Sequence, residues 1–298
     1  MIDVPDGLTR ATTSREGAAG TAWLAELPAI VSRLLDEWGC ELDGAPTHGE
    51  VAVVLPVRQG DVPAALKVSF PHPGNRSEPH ALRSFAGDGA VRLLDADEDV
   101  FALLLERAGP QSLDSVATAE EAIDIAGDLA RRLAVPAPAG TPALADTTEG
   151  WAAELDQQVA ALPDALPTTV VERARSTIRE LATESTPTML HGDLHFGNVL
   201  GAERQPWLVI DPKGWRGTAA YDAFTVAAGK REALLDAADP ERAFRDRIRR
   251  FAAAADVDAG LALACVQARA TSSYLYQRLH SGDSFALELL RRVAHLDG

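Results

Sequence analysis

The apolar positions along the chain fall into two regimes. In the first third, short β-branched runs alternate with turns; beyond Gly109, apolar residues recur every three or four positions over long windows. Ahead of the first strand signal, Leu24, Leu27, Ile30, Val31, Leu34, Leu35 and Trp38 keep helical spacing. They predict a helix over 24–38, with Pro28 in its first turn and Gly39 as its stop. Glu50–Val57 and Ala64–Phe70 are apolar runs joined by Arg58-Gln59-Gly60-Asp61, the pattern of an antiparallel hairpin. The breaker cluster Pro71–Asn75 precedes a helix expected over 78–85, capped by Asn75 or Ser77. Strands are expected over 90–94 and 100–105, with the acidic run Asp95–Asp99 between them as a solvated loop.

Past the Ala108-Gly109-Pro110 hinge the pattern turns helical: 119–133, 151–162, 168–181, 221–235, 241–255, 261–280 and 284–294. Pro136–Pro142 reads as a linker. Short strands at Met189-Leu190, Asn198–Leu200 and Trp207–Ile210 interrupt these helices. The order predicts an α+β chain with two lobes. A small N-terminal lobe, residues 1–108, combines an antiparallel sheet with a helix; a larger, mostly helical C-terminal lobe spans 109–298.

Composition narrows the class. With 298 residues and 46% hydrophobic content the chain is that of a globular protein, and no apolar run approaches membrane-spanning length. The opening MIDVPDGLTR lacks the apolar stretch of a secretory leader. Two cysteines, Cys40 and Cys265, form no disulfide framework and fit a reducing cytosol, so a cytoplasmic protein is expected. A net charge of −16 argues against nucleic acid as a partner. It suits a cationic or polar small molecule, and equally a plain solubilising surface. No membrane partner is expected, and a monomer and a homodimer are both compatible with the sequence.

The candidate chemistry sits in the short β interruption. His191-Gly192-Asp193-Leu194-His195-Phe196-Gly197-Asn198 differs at one defined position from the H-R-D-L-x-x-x-N catalytic loop of protein kinases, and Leu208-Val209-Ile210 then delivers Asp211. Phosphoryl transfer needs a carboxylate to take the proton of the attacking hydroxyl and hard oxygens for magnesium. Asp193 fits the first role, and Asn198 and Asp211 the second. Turns are rich in Gly, Asp and Asn in any case, so the loop alone proves little. Upstream, however, Ala65-Leu66-Lys67-Val68 resembles the kinase V-A-I-K, and Glu78 opens the next helix, where it would pair with Lys67 on the nucleotide phosphates. Glu106-Arg107-Ala108 ends a strand ahead of the hinge, where kinases hold the adenine edge with backbone groups; Glu106 and Ala108 are the candidates. The cofactors predicted are therefore ATP and Mg2+. No G-x-G-x-x-G precedes Lys67, where Gly44–Glu50 is the candidate loop, and no A-P-E follows Asp211, which points away from protein substrates.

Three other readings are open. His191, Asp193 and His195 spell H-x-D-x-H, a transition-metal pattern. The chain is also compatible with a kinase of another small metabolite, or with a kinase-like module that binds nucleotide without turnover. For Asp222, the sequence offers helix capping or the wall of a cationic pocket; for His195, substrate contact or a structural role.

On these motifs the chain resembles the aminoglycoside phosphotransferase family, in its streptomycin and hydroxyurea phosphotransferase branch. The resemblance rests on H-G-D-L-H-x-x-N-V-L, P-W-L-V-I-D-P-K-G, the Tyr221-Asp222 pair, Leu104-Leu105-Glu106-Arg107 and Gly89–Leu94. It implies a bilobal protein-kinase-like fold with ATP in the cleft, Asp193 as catalytic base, and Asn198 and Asp211 on magnesium. It further implies transfer of the γ-phosphate to a hydroxyl of a small molecule such as streptomycin or hydroxyurea, as in antibiotic resistance. Gly217-Thr218-Ala219-Ala220-Tyr221-Asp222 stands where the family pattern is nearer G-D-P-x-Y-D.

Overall fold

The strands of the computed structural model, in chain order, are β1 Cys40–Leu42, β2 Thr47–His48, β3 Ala52–Gln59, β4 Val62–Ser69, β5 Leu93–Asp97, β6 Ala102–Glu106, β7 Met189–Leu190, β8 Val199–Gly201, β9 Trp207–Val209 and β10 Trp215–Arg216. The α-helices are α1 Asp6–Glu37, α2 Glu78–Phe85, α3 Ala119–Leu133, α4 Thr148–Ala161, α5 Thr168–Leu181, α6 Ala223–Ala227, α7 Arg231–Leu235, α8 Pro240–Ala255, α9 Ala259–Leu279 and α10 Ser284–Ala294. The structure describes residues 2–116, 118–280 and 282–296. Contacts group Met1–Gly109 with Ala202–Arg204 as one unit, and Pro110–Gly201 with Gln205–Gly298 as a second. The architecture is protein-kinase-like: an antiparallel sheet unit and a mostly helical one.

In the first unit a two-residue turn fixes the sheet register. Gly60 takes φ of 59° at the first central position, which a Cβ-bearing residue resists, and Gln59 pairs with Val62. The ladder then runs without slip to Ala52↔Ser69. The full order is β1-β3-β4-β6-β5, with β2 also on β3. The period of two sends Val53, Leu55 and Val57 of β3 and Ala64, Leu66 and Val68 of β4 into one core with Leu27, Val31 and Leu34 of α1. Each fully buried Val or Leu contributes about 1.5–3 kcal/mol. The same alternation turns Lys67 to the opposite face. Pro56 is tolerated inside the ladder because β3 meets β1 over 57–59 and β2 over 53–54, and Pro56 falls at the seam between them.

Three expectations need correction here. The first helix extends upstream to Asp6, and Pro28 lies in its interior, not in its first turn. The upstream stretch is rich in small and polar residues and carries a kink at Gly17 (φ 58°, ψ −128°), so it lacks the apolar stripe that marked 24–38. Ser77 occupies the cap position of α2 without a side-chain capping bond, and Asn75 ends a short 3₁₀ turn instead. The strand expected over 90–94 is Leu93–Asp97, so part of the acidic run is edge strand. An edge tolerates carboxylates, and Asp97 meets Arg33 of α1 at 2.7 Å.

The second unit packs α3 on α8 and gathers α5, α8 and α10 around α9. Asp239, Asp258 and Asp283 cap α8, α9 and α10 through backbone N–H groups. The helix expected over 221–235 is broken into a 3₁₀ turn, α6 and α7, with Lys230 left-handed at φ 49°. At the break Gly229 packs against the Phe196 ring, where an added Cβ would lie 2.3 Å from it.

No helix among the described residues is long and apolar enough to cross a membrane. Cys40 and Cys265 are both buried and unbridged.

Gly127 lets α3 approach α8: an added Cβ would lie 2.5 Å from Ala254 Cβ and 3.1 Å from the Phe251 carbonyl oxygen. Gly127→Ala adds about 1 kcal/mol of helix propensity, but overpacking against a rigid neighbour costs roughly 1–3 kcal/mol. The expected net result is a lower urea midpoint; a raised midpoint would show that the two helices can separate freely.

Candidate active site

In the first unit Lys67 sits on β4 facing away from the core, and α2 brings Glu78 beneath it. The Lys67 ammonium donates to both Glu78 carboxylate oxygens at 2.7 Å. Both side chains are buried, at 9% and 3% exposure. Desolvating two charges costs several kcal/mol per ion, so such a pair is weak evidence for stability and better evidence for a preset lysine position. Glu106 ends β6, and its carboxylate is committed locally. Arg204 donates to it through Nε at 2.9 Å and Nη2 at 2.8 Å, and the Arg92 N–H adds a third bond at 3.0 Å. Burial opposes charge on Glu106, but the bonds from Arg204 and Arg92 hold its carboxyl below the usual range. The carboxylate is thus a structural clamp, and the sequence had given no sign of Arg204 as its partner. Ala108 follows along the chain, just ahead of the unit boundary. In the Gly44–Glu50 loop, Thr47 and His48 pair with Val54 and Val53.

In the second unit β7 pairs with β10, and the chain turns sharply at Gly192 (φ 85°). A Cβ at Gly192 would meet Lys213 Cβ at 2.9 Å and Trp215 Cε3 at 3.0 Å. That contact explains why glycine replaces the arginine of H-R-D in this chain. The loop is held from two sides. Fully buried His191 accepts the Asp193 N–H at its Nδ1 (3.2 Å) and donates from Nε2 to the Ile210 carbonyl (2.9 Å). This requires a neutral ring, and burial pushes the imidazole down to about 4. From beneath, the fully buried Asp222 carboxylate accepts the Gly192 N–H at Oδ2 and the Leu194 N–H at Oδ1, both at 3.3 Å. Burial pushes its pKa up to about 6, opposed by those two bonds and by Arg269. Asp222 therefore neither caps α6 through its side chain nor lines an open pocket, the two roles the sequence offered.

Asp193 stands half-exposed between these two anchors, with the Lys213 ammonium 3.7 Å from its Oδ2. Asn198 follows on a 3₁₀ turn, and its Nδ2 donates to the Asp193 carbonyl at 3.0 Å, which leaves Oδ1 as the remaining donor atom. The Ile210 N–H donates to the Asn198 carbonyl at 2.9 Å, so the β8–β9 hairpin sets Asp211 beside Asn198. Asp211 holds φ of 64°, a region costly for a non-glycine residue and common where function fixes a side chain. An amide oxygen and a carboxylate are the hard donors magnesium takes, so this pair fits that ion.

The transition-metal pattern does not assemble. Both ring nitrogens of His191 are spent on backbone groups, and His195 Nδ1 accepts the Gly197 N–H at 3.1 Å as the cap of the 3₁₀ turn. Among the described residues no cluster of three or more His, Cys, Asp or Glu side chains is arranged to hold a metal. His195 therefore has a structural role. Thr218, which with Ala219 departs from G-D-P-x-Y-D, caps the 3₁₀ turn leading to Asp222 by accepting the Ala220 N–H at 3.2 Å.

Three comparisons bear on this geometry. A family model described as aminoglycoside/hydroxyurea antibiotic resistance kinase matches residues 37–279. A streptomycin 6-kinase of Streptomyces griseus is 36% identical over 278 residues, covering 92% of this chain and 91% of that one. A hydroxyurea phosphotransferase of Kitasatospora aureofaciens is 38% identical over 227 residues, covering 74% and 67%. Among solved structures, a choline kinase of Streptococcus pneumoniae superposes with a TM-score of 0.60 at 12% identity, covering 91% and 98%, a likeness of fold.

The two loop anchors titrate with opposite effect. An unfolded imidazole takes a proton near 6.5 and the folded His191 only near 4, so folding loses stability as pH falls through that window. Asp222 binds its proton more tightly when folded, at about 6 against 3.8, so its buried charge costs less as pH falls through the same range. In thermal melts from pH 7 to 4, His191→Gln should flatten the acid loss of stability and Asp222→Asn should steepen it. Identical slopes in both variants would refute the assignment.

Proposed function

The chain belongs to the aminoglycoside/hydroxyurea antibiotic resistance kinase family, and from that membership we propose that it transfers the γ-phosphoryl group of ATP to a hydroxyl of a small-molecule acceptor. The acceptor class is an aminocyclitol such as streptomycin, or hydroxyurea, and the role is resistance of the antibiotic-modifying type in the cytoplasm. The observation that carries the reading is the loop carboxylate. Asp193 is fixed from both flanks by His191 and Asp222, with two hard oxygen donors, Asn198 and Asp211, set side by side next to it.

Asp193 orients the acceptor hydroxyl and takes its proton as the oxygen bonds to the γ-phosphorus. The bond from that phosphorus to the β,γ-bridging oxygen breaks, and ADP leaves. Lys67, preset by Glu78, faces the α- and β-phosphates as a fixed positive charge, and backbone groups at Glu106 and Ala108 meet the adenine edge. Asn198 Oδ1 and the Asp211 carboxylate would hold Mg2+, which would supply neutralisation of charge on the phosphates. Lys213 beside Asp193 keeps a positive charge near the transferring group.

ADP release dependent on streptomycin or hydroxyurea, with a phosphorylated acceptor as product, tests the reading. ATP binding with no product from either acceptor would contradict it. Asp193→Ala should lower kcat by ~10²–10⁴ while leaving ATP affinity near wild type. Asp211→Ala should instead weaken magnesium-dependent nucleotide binding. Equal, mild effects of both substitutions would overturn these two roles.

A further inference from the structure

Arg269 belongs to α9, which packs on the 3₁₀ turn Ala219–Asp222, and the phosphoryl chemistry described above gives it no role. Its guanidinium lies over the Tyr221 ring at 4.3 Å and over the Phe224 ring at 5.0 Å. Its Nη1 donates to the Tyr221 carbonyl at 3.0 Å. One planar cation therefore grips the residue before Asp222 by ring and by backbone, and the residue two beyond it by its ring. A lysine ammonium has no plane to stack. Trp151 and Trp215 also set their rings edge-on to Tyr221, at 6.2 and 6.0 Å, and Glu184 Oε2 accepts the Thr218 N–H at 3.2 Å where the turn begins. The direction of Asp222 is thus over-determined. It matters because the two carboxylate oxygens must meet the Gly192 and Leu194 N–H groups separately.

Arg269 also acts on Asp222 through its charge. A protonated Asp222 would set an O–H against one of the loop N–H groups, so the clamp needs the ionised form. Burial favours the proton on Asp222, Asp193 adds to that, and Arg269 opposes it. The other groups around the turn do not replace it. Burial pushes the Tyr221 phenol up and the Cys265 thiol of α9 up to about 12, so both stay neutral. Arg247 of α8 is committed to the Ala227 and Gly229 carbonyls, at 3.3 and 2.6 Å. His191 is a neutral ring, and α6 and β7 bring no titratable side chain. Among these groups Arg269 is the cation that offsets the buried carboxylate.

We infer that Arg269 is a positioning residue for the loop that carries Asp193: it fixes the turn that aims Asp222 at the Gly192 and Leu194 N–H groups, and it supplies the positive charge that offsets this carboxylate. The consequence for turnover rests on the phosphotransferase reading above; the consequence for the loop does not.

Two readouts on the intact protein test this: the pH profile of kcat at saturating ATP and streptomycin, and hydrogen exchange of the Gly192 and Leu194 amides. Arg269→Gln keeps a planar donor and removes the charge, so Asp222 takes its proton at higher pH. The acid limb of kcat should move up from about 6 by roughly one pH unit, a roughly tenfold loss on that limb, with KM for ATP near wild type. Both amides should exchange roughly tenfold faster at about pH 6.5. Arg269→Lys keeps the charge and loses the stacking, so the limb should stay in place while the plateau of kcat falls about 3- to 10-fold. Arg278→Met, which removes a ring contact with Tyr274 elsewhere on α9, should leave both readouts at wild type. In an Asp222→Asn background Arg269→Gln should add little, because it acts through that carboxylate. An unmoved limb with unchanged exchange in Arg269→Gln, an equal limb shift in Arg269→Lys, a wild-type plateau in Arg269→Lys, the same effects from Arg278→Met, or full additivity with Asp222→Asn would each overturn the inference. Faster exchange in Arg269→Gln, with no phosphorylated product from the wild-type protein, contradicts only the phosphotransferase reading. Wild-type turnover with an unmoved limb and unchanged exchange in Arg269→Gln contradicts only the role of Arg269.

Discussion

The candidate site depends on one buried carboxylate. Asp222 has no exposure and accepts two backbone N–H groups of the loop, those of Gly192 and Leu194, one on each oxygen. Between those two residues lies Asp193. Burying a carboxylate is expensive, and its pKa of about 6 records that cost, so the position is occupied for what it holds in place. Only an ionised carboxylate presents an acceptor on both oxygens at once. An amide would set its own NH2 against one loop N–H. His191 completes the clamp from the other flank with a neutral ring.

The buried Lys67–Glu78 pair follows the same logic: it is unfavourable as packing and informative about chemistry, since it presets a lysine that the proposed reaction uses. The net charge of −16 adds little to this.

Much of the fold was legible in the sequence, because long helices and a tight hairpin write their periods plainly. Thr168–Leu181 and Ser284–Ala294 match the expected spans, and Gly60 marks the turn between β3 and β4. What failed had no local signal. The α1 extension is small and polar, the acidic edge strand resembles a loop, and the break falls at Lys230, which takes a left-handed conformation no residue pattern announces. At the site, Asp193, Asn198 and Asp211 stood out by motif. Their supports did not: Asp222 acts across 28 to 30 residues of sequence and Arg204 across 98, distances at which no spacing rule applies. The Tyr221-Asp222 pair was visible, but its function follows only from the direction in which the carboxylate points.

The rate of phosphoryl transfer by Asp222→Asn, at saturating ATP and acceptor, tests the account most directly. With Asp193 intact but its loop released from one N–H bond, kcat should fall by roughly 10- to 100-fold, the scale set by misplacing a reacting group, while nucleotide affinity stays near wild type. A wild-type kcat in a folded Asp222→Asn protein would contradict the claim that this buried carboxylate positions the base.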